Sequence, residues 1–281
     1  MYKTQYLIIL CLCSLGISKS FAQPSYLSHE TFRGTRIING HSVETLVGGE
    51  LEMIIGHRFG RLNDGFYELF GLDQANIRIG FDYGITRNLM IGVGRSSLGK
   101  EFDGFLKYSL LSQSADIPLS LSVLSTGSYN SLKNADVERP ISSQHRFAYV
   151  SQILLARRFS DYLTVQVMPT LAHYNLVENK AEGNDKLALG IGAKYQISKN
   201  LALTSEYFYM SPQQRPNGSQ NSLSFGLDIN TGSHVFQLHF TNSAGMIEKQ
   251  FLGETTGQWQ NGDIHFGFNM VRTFKLKGRR Y

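Results

Sequence analysis

The chain has 281 residues and carries 27 Lys and Arg against 22 Asp and Glu, which gives a formal net charge of +5 at pH 7. Its composition is 42% hydrophobic, 17% charged and 12% aromatic, with 28 glycines and 6 prolines, and this excludes a disordered chain, a collagen and a coiled coil. After the N-terminus no apolar run approaches the roughly 18 residues of a membrane-spanning helix, and the charge excess is too small to indicate a nucleic-acid-binding protein.

The N-terminus has the three parts of a cleaved secretion signal. Lys3 supplies the positive charge, residues 7–17 form an apolar stretch, and Ala22 is a small residue of the kind that precedes a cleavage site. We therefore predict a signal peptide over residues 1–22, cleaved before Gln23, and export of the mature chain.

Both cysteines of the chain, Cys11 and Cys13, lie within the predicted signal peptide. A leucine precedes each of them where a lipoprotein signal has a small residue, so lipidation is not expected. The mature chain would then have no thiol, which excludes disulfides, cysteine-ligated zinc and a cysteine nucleophile.

The segment 23–46 does not alternate between apolar and polar positions and is predicted to be irregular. Two placements are open for it. It can extend on the periplasmic side, or it can fold as a plug into the interior of the β-structure that we predict for residues 47–281.

From residue 50 onward the dominant pattern is alternation with a period of two, which indicates β-strands. In the second segment Ile77, Ile79 and Phe81 share one face, whereas Arg78 and Asp82 share the other. We predict twelve strands with approximate spans 50–59, 75–83, 89–96, 102–110, 117–126, 146–157, 162–174, 186–196, 201–210, 221–229, 233–242 and 263–274.

The connections between these strands alternate in length. Those after even-numbered strands are short, whereas most of those after odd-numbered strands run to roughly ten to twenty residues. Transmembrane barrels combine tight periplasmic turns with long external loops and have even strand numbers, whereas a Greek-key sandwich gives no reason for such segregation. The predicted fold is therefore all-β, an antiparallel up-and-down transmembrane β-barrel of about 12 strands.

Aromatic residues fall near both ends of the apolar face of the predicted strands. Tyr83 and Tyr195 lie at the short-turn end, and Tyr207, Tyr209 and Phe240 lie at the long-loop end. Two such girdles are typical of the two interfaces of a membrane. The alternative is a soluble sheet with ordinary core aromatics.

Several stretches of the sequence are specific enough to suggest a family. They are Thr35-Arg-Ile-Ile-Asn-Gly-His-Ser-Val-Glu44, His57-Arg-Phe-Gly-Arg-Leu-Asn63 and, in the C-terminal third, Gly262-Asp-Ile-His-Phe-Gly-Phe-Asn269. With these stretches the chain resembles, over residues 30–274, a family of outer-membrane β-barrels from Bacteroidota-type bacteria, domain of unknown function 5777. The resemblance implies the barrel and its location. It implies no activity, cofactor or catalytic residue.

In a barrel the polar side of each strand faces the lumen. The charged residues and histidines expected there are Glu52, Arg78, Asp82, Lys107, Lys186, Lys194, Glu206, Asp228, His239 and His265. Their acidic and basic members are equal in number, so the interior is nearly neutral. This favours a hydrogen-bonded, salt-bridged filling or a narrow, weakly selective pore over a strongly anion-selective one.

The same residues argue against a metal site and against catalysis. His239 and His265 fall inward, but His234 has the opposite parity, so no third ligand completes a zinc site. His239 with Ser243 is the one pair that suggests a lipid hydrolase, yet this histidine faces inward and no Gly-x-Ser-x-Gly elbow is present. We expect no enzyme activity, no metal and no cofactor.

The predicted function is a small-solute channel or transporter of the outer membrane. Two alternatives are open: a filled barrel with a structural or partner-binding role, using the loops at 127–145 and 243–262, and a soluble periplasmic β-protein that binds an apolar ligand. The expected partners are outer-membrane lipid and, through the long loops, envelope proteins. Nucleic acid is not expected, and a monomer is favoured.

Overall fold

The structure, a computed structural model, describes residues 31–134, 141–177, 182–232 and 234–276. The predicted signal peptide and its cleavage position lie outside these residues. Each strand pairs antiparallel with its neighbours in the sequence, and the first strand pairs with the last, from Glu50 opposite Lys275 to Arg61 opposite His265. The described strands therefore form a closed barrel.

The strands alternate with turns and with a few short helical segments. The strands are β1 Glu50–Arg61, β2 Ala75–Gly84, β3 Leu89–Ser96, β4 Glu101–Leu111, β5 Ser120–Asn130, β6 Phe147–Arg158, β7 Leu163–Tyr174, β8 Asp185–Ser198, β9 Leu201–Met210, β10 Ser222–Asn230, β11 His234–Thr241 and β12 His265–Lys275. One α-helix, α1 Glu248–Gly253, precedes β12 in the described chain, and 3₁₀ turns occur at Leu62–Asp64, Phe66–Gly71, Leu98–Lys100, Ser143–Arg146 and Trp259–Asn261.

The twelve-stranded antiparallel barrel predicted from the sequence is confirmed. The largest difference in bounds is at β5, which was expected over 117–126 and is observed over Ser120–Asn130. Glycine usually weakens a strand, and Gly127 stands just after the expected end. Here β5 pairs on both sides past this glycine, with β4 as far as Asn130 and with β6 as far as Tyr129, so the strand continues.

The two faces of the strands lie in opposite environments. On β2, Ile77, Ile79 and Phe81 are 41–44% exposed, whereas Arg78 and Asp82 are 4% and 0% exposed. An apolar outer surface with a fully paired backbone is what hydrocarbon requires of a membrane barrel, because no water is present there to satisfy a free N–H or C=O group. Among the described residues, no helix is long and apolar enough to cross a membrane.

The two ends of the barrel differ as the loop lengths predicted. The ends of the strand order, Glu50 and Lys275, lie at the short-turn end together with the connections at 85–88, 112–119, 159–162, 199–200 and 231–233. The long-loop end carries the connections at 62–74, 97–100, 131–146, 175–184, 211–221 and 242–264. In outer-membrane barrels the short turns are periplasmic.

Candidate functional site in the barrel lumen

The segment before β1, residues 31–48, which we call the N-terminal plug, lies inside the lumen. Its apolar side chains up to Leu46 are at most 7% exposed, with Ile37 at 0% and Phe32 at 2%. At its centre the chain turns back on itself as a tight hairpin: Ile37 N–H donates to the carbonyl of Gly40 at 2.8 Å, and Ser42 N–H donates to the carbonyl of Thr35 at 3.0 Å. The sequence had left open whether this segment extends on the periplasmic side or enters the barrel.

The tip of the hairpin is held by Glu206 on β9. The Glu206 carboxylate accepts the backbone N–H groups of Ile38 at 3.3 Å, Asn39 at 2.9 Å and Gly40 at 3.0 Å. Arg58 on β1 also donates to the Asn39 side chain at 2.7 Å. Hydrogen bonds to an ionised carboxylate are about twice as strong as neutral ones, so these contacts fix the tip in the lumen.

The two arms of the hairpin are held by Lys107 on β4 and Gln166 on β7. Lys107 donates to the carbonyls of Thr35 at 3.3 Å and Ser42 at 3.2 Å. Gln166 accepts the N–H of Val43 at 2.9 Å and donates to the carbonyl of His41 at 2.7 Å. One side-chain amide thus satisfies a backbone donor and a backbone acceptor of the same arm.

Other inward-facing side chains also bind the main chain of the plug. They are Gln237 to the carbonyl of Ile37 (2.8 Å), Asn269 to that of Ile38 (2.9 Å), Ser122 to that of Val43 (2.7 Å), and Lys194 and Thr164 to that of Thr31 (2.6 and 3.0 Å). The barrel wall therefore recognises mainly the backbone of this segment.

The lumen has an apolar side, which the parity analysis did not single out. The inward positions of β5 to β9 include Leu124, Val150, Leu154, Met168 and Phe208, each no more than 2% exposed. They form one cluster with apolar residues of the plug. The signal was present in β6, where both faces are largely apolar, but alternation alone cannot separate an apolar inner face from the lipid-facing side.

Glycines on the inner wall provide room for plug side chains. A β-carbon on Gly192 of β8 would stand 2.4 Å from Cδ1 of Ile37, and one on Gly226 of β10 would stand 3.2 Å from Cδ1 of Ile38. At these two positions the absence of a side chain leaves space on the inner wall for the plug.

The connection 242–264, which we call the inner loop, folds into the lumen from the long-loop end. Met246, Ile247, Phe251 and Leu252 are at most 5% exposed, and Phe251 packs against Phe208 with ring centroids 4.7 Å apart. The apolar residues of this loop are therefore inside the barrel and cannot form an external contact surface, whereas Glu254, Thr256, Gln258, Gln260 and Asn261 of the same loop are exposed. Partner binding through residues 243–262 stays a prediction. Part of the other expected contact loop, 135–140, lies outside the described residues.

Plug and inner loop meet at Glu248 of α1. Its Oε1 lies 3.6 Å from Nη1 of Arg36 and 3.6 Å from Nε2 of His41. Burial raises the pKa of the Glu248 carboxyl, and the Arg36 charge opposes this shift. Burial also lowers the pKa of His41 well below its ordinary value, and the nearby Arg36 and Lys107 charges act in the same direction. His41 is therefore neutral at pH 7.

All ten residues that the sequence analysis selected for the lumen are buried, at 7% exposure or less. Three of them, Lys107, Lys194 and Glu206, bind the plug backbone as described above. A fourth, Glu52, accepts a hydrogen bond from the Thr35 hydroxyl of the plug at 2.6 Å. These four contact the plug rather than one another.

Three further members of the set have partners outside the plug. Arg78 pairs with Asp103, with Nε 2.9 Å from Oδ1, and Lys186 lies 3.6 Å from Glu182. Asp228 accepts hydrogen bonds from the side chains of Gln237 at 3.1 Å and Thr204 at 3.5 Å. Asp82 is fully buried, and neither of its oxygens has a hydrogen-bond partner among the described residues.

The two lumen histidines are not brought together with a catalytic or metal-binding partner. The Nδ1 of His265 donates to the carbonyl of Phe59 at 2.8 Å. The ring nitrogens of His239 have no hydrogen-bond partner in the described chain. The Ser243 hydroxyl donates to the carbonyl of Gly245, so it does not pair with His239. Over the described residues, no cluster of three or more His, Cys, Asp or Glu side chains could hold a metal ion.

A cavity opens at each end of the lumen, and the plug and the inner loop lie between them. The cavity at the short-turn end has a volume of about 360 Å³ and is lined in part by Arg36 and Glu52. The one at the long-loop end has about 380 Å³ and is lined in part by Tyr174 and Lys249. Between them lies a cavity of about 20 Å³, also lined by Arg36, with room for roughly one water molecule.

The fold has solved counterparts among outer-membrane porins. The NanC porin superposes with a TM-score of 0.50 at 10% sequence identity, over 80% of this chain and 100% of that one. The KdgM porin gives 0.47 at 8% identity (81% and 99% covered), and the COG4313 outer membrane channel from Pseudomonas putida F1 gives 0.48 at 12% identity (83% and 98% covered). At such identities the likeness concerns the fold alone.

No curated protein sequence matches the chain. A protein family described as a membrane bound beta barrel domain, DUF5777, matches residues 32–274. This match spans all twelve strands and nearly all of the plug. The chain therefore belongs to the DUF5777 family of membrane-bound β-barrels.

Proposed function

We propose that this protein is an outer-membrane channel for small solutes that is closed by two segments of its own chain. The observation that carries the proposal is the pair of cavities, about 360 and 380 Å³, at opposite ends of a lumen whose middle is filled by the plug and the inner loop. A barrel with a purely structural role has no need of a cavity at either end.

The way the plug is attached also supports a closure that can be released. The wall holds it by hydrogen bonds rather than by covalent links. Because water can replace such bonds, a neutral one contributes only about 0.5–1.5 kcal/mol net, and one to a charged group about 1.5–3 kcal/mol. The plug joins the barrel at one end, through Val47 and Gly48, which are both exposed. Movement at this turn would draw the plug toward the short-turn end without opening the β-ladder.

The second candidate is a permanently filled barrel with a structural or partner-binding role. It is favoured by the packing of the plug, since Phe32, Ile37 and Val43 are as deeply buried as residues of a protein core. A filled barrel predicts that removal of the plug lowers stability and creates no path for solutes.

Conductance in planar bilayers distinguishes the two candidates. Four proteins are compared: the wild type, a variant lacking residues 31–46, a variant with residues 246–253 replaced by a short Gly/Ser linker, and the double variant. Heat-modifiable migration on gels verifies that each barrel is folded, and membrane fractionation tests the outer-membrane location.

We expect the wild type to be nearly silent, each single variant to conduct, and the double variant to show discrete steps at least as large as those of either single variant. A folded double variant that stays silent at high protein concentration would refute the channel and favour the filled barrel. A soluble wild type without a heat-dependent shift would refute both.

A further inference from the structure

The geometry points to the lumen as a binding site for short peptides with apolar side chains, in which the N-terminal plug is an internal stand-in for the ligand. This inference rests on the proposed function and names the class of solute that the channel would take once the plug has left. It follows from which groups of the plug the barrel wall contacts, namely its backbone and its apolar side chains, and from the cost of leaving the lumen empty.

Most polar contacts of the wall are to backbone groups that every peptide has, and fewer are to plug side chains such as Thr35 and Asn39. Glu206 accepts three consecutive backbone N–H groups of the plug. Gln166 binds one N–H and one carbonyl of the same arm, and Lys107 binds two carbonyls. Because these contacts are to the main chain, a different sequence in the same conformation would satisfy them equally well.

The apolar side chains of the plug occupy spaces that the inner wall leaves for them. Ile37 fills the space left by Gly192, and Ile38 approaches the space left by Gly226. Lys194 lies over the ring of Phe32, 5.7 Å from its centroid. These contacts select for bulk and apolarity, so the preference that they create is for aliphatic and aromatic residues rather than for one sequence.

An empty lumen would be unfavourable. Without the plug, Glu206 and Lys107 would lose their hydrogen-bond partners in a narrow site, and this costs free energy unless water or a ligand replaces those partners. The free N-terminus of a short peptide offers three N–H donors, the number that Glu206 accepts from the plug. A neutral sugar offers hydroxyl groups to the polar side of the lumen but nothing that fits the apolar side.

The test uses the full-length chain with a protease site inserted between Val47 and Gly48. The protein folds with its plug in place, is cleaved in detergent, and is then mixed with a fluorescent peptide of the sequence of residues 31–46. Anisotropy measures its binding, and an excess of labelled peptide measures exchange if the cleaved plug stays bound. A matched peptide, N-methylated at the residues equivalent to Ile38, Asn39 and Gly40, keeps every side chain but lacks the three N–H donors.

We expect the unmodified peptide to bind, the N-methylated peptide to bind at least about tenfold more weakly, and Glu206→Gln to weaken binding by a similar factor. Unrelated tetrapeptides rich in Ile and Val should displace the label, whereas a neutral tetrasaccharide should not. If only the plug sequence competes, or if the tetrasaccharide competes equally well, the inference is wrong.

Conductance of the cleaved protein separates this inference from the proposed function. A conducting barrel whose current is unaffected by the tetrapeptides would retain the channel and overturn the peptide site. A barrel that binds the tetrapeptides but conducts in none of the variants would retain the binding site and overturn the channel.

Discussion

The strongest single test of the plug as a releasable closure is Glu206→Gln. The substitution keeps the shape of the side chain but removes its charge and turns one acceptor oxygen into an N–H₂ group that faces backbone donors. At least one of the three bonds to the hairpin tip is then lost, and the others lose their charge assistance. Since a hydrogen bond to a charged group contributes about 1.5–3 kcal/mol, we expect the closed state to lose about 3 kcal/mol, which is roughly a 150-fold rise in the fraction of released plug.

The assay is the rate at which a small maleimide modifies Ser42→Cys, in a background where Cys11 and Cys13 are replaced by serine. Ser42 is fully buried, so its thiol reacts only after the plug has left the lumen. Asp228→Asn is the matched control, because it makes the same change of charge on the neighbouring strand at a carboxylate that has no hydrogen bond to the plug. Its partner Gln237 binds the plug carbonyl of Ile37, and the asparagine keeps an oxygen that can still accept from Gln237. Equal rates in wild type and Glu206→Gln, or an equal rise in Asp228→Asn, would refute the assigned role of Glu206.

Three further predictions follow from other parts of the structure. His41 is held neutral by burial, so the closed state loses stability as the pH falls below the ordinary histidine pKa of about 6.5. Wild-type conductance should therefore rise between pH 7 and pH 5, and His41→Gln should abolish this rise. Gly192→Val should displace Ile37 and raise the maleimide rate of the plug reporter with no loss of barrel assembly, which heat-modifiable migration measures. Ile191→Arg places a charge on the lipid side near the middle of β8, where it costs about 2–4 kcal/mol, so assembly in lipid vesicles should fall sharply, whereas Ile191→Met should assemble normally.

The barrel itself could be predicted because the sequence pattern that specifies it lies within each strand. Alternation such as Ile77, Arg78, Ile79 is imposed residue by residue by the difference between lipid and lumen, and no distant contact is needed to recognise it. Strand number and the two kinds of connection follow from the same pattern. The error at β5 arose where this local signal weakens, at Gly127, and pairing with both neighbouring strands decided the outcome.

The plug could be suggested but not placed, because its contacts to the wall are mainly through its backbone. Every segment has backbone N–H and C=O groups. The residue types in 31–48 therefore do not indicate that Glu206 or Gln166 will bind this segment. Parity correctly put Glu206 on the polar side of β9, but the carboxylate has its partner more than 160 residues away in the sequence. The near-neutral charge of the lumen favoured a hydrogen-bonded, salt-bridged filling or a narrow pore but did not identify the partners of the charges, and several of them bind the plug.

The inner loop shows a second limit of reasoning from sequence. A connection of this length between two strands usually lies at the surface, and residues 243–262 were expected to do so. Met246, Ile247, Phe251 and Leu252 were the available signal, since four large apolar residues in a loop need a cover. These residues are buried against the apolar side of the lumen. That side could not be recognised from the sequence, because alternation does not distinguish the inner face of β6 from its lipid-facing side.

The contact between Arg36 and Glu248 makes release of the two closing segments interdependent. If the plug alone withdraws, Glu248 is left buried without Arg36, whose Nη1 lies 3.6 Å from its Oε1. Breaking a buried ion pair by removing one partner costs about 3–5 kcal/mol, and water or movement of the remaining group must recover that cost. The inner loop is therefore expected to leave its position when the plug does. Because Arg36 also lines both the cavity at the short-turn end and the small central cavity, its departure would join these two spaces. The closure is thus expected to behave as a two-state gate, with all of the lumen either filled or open.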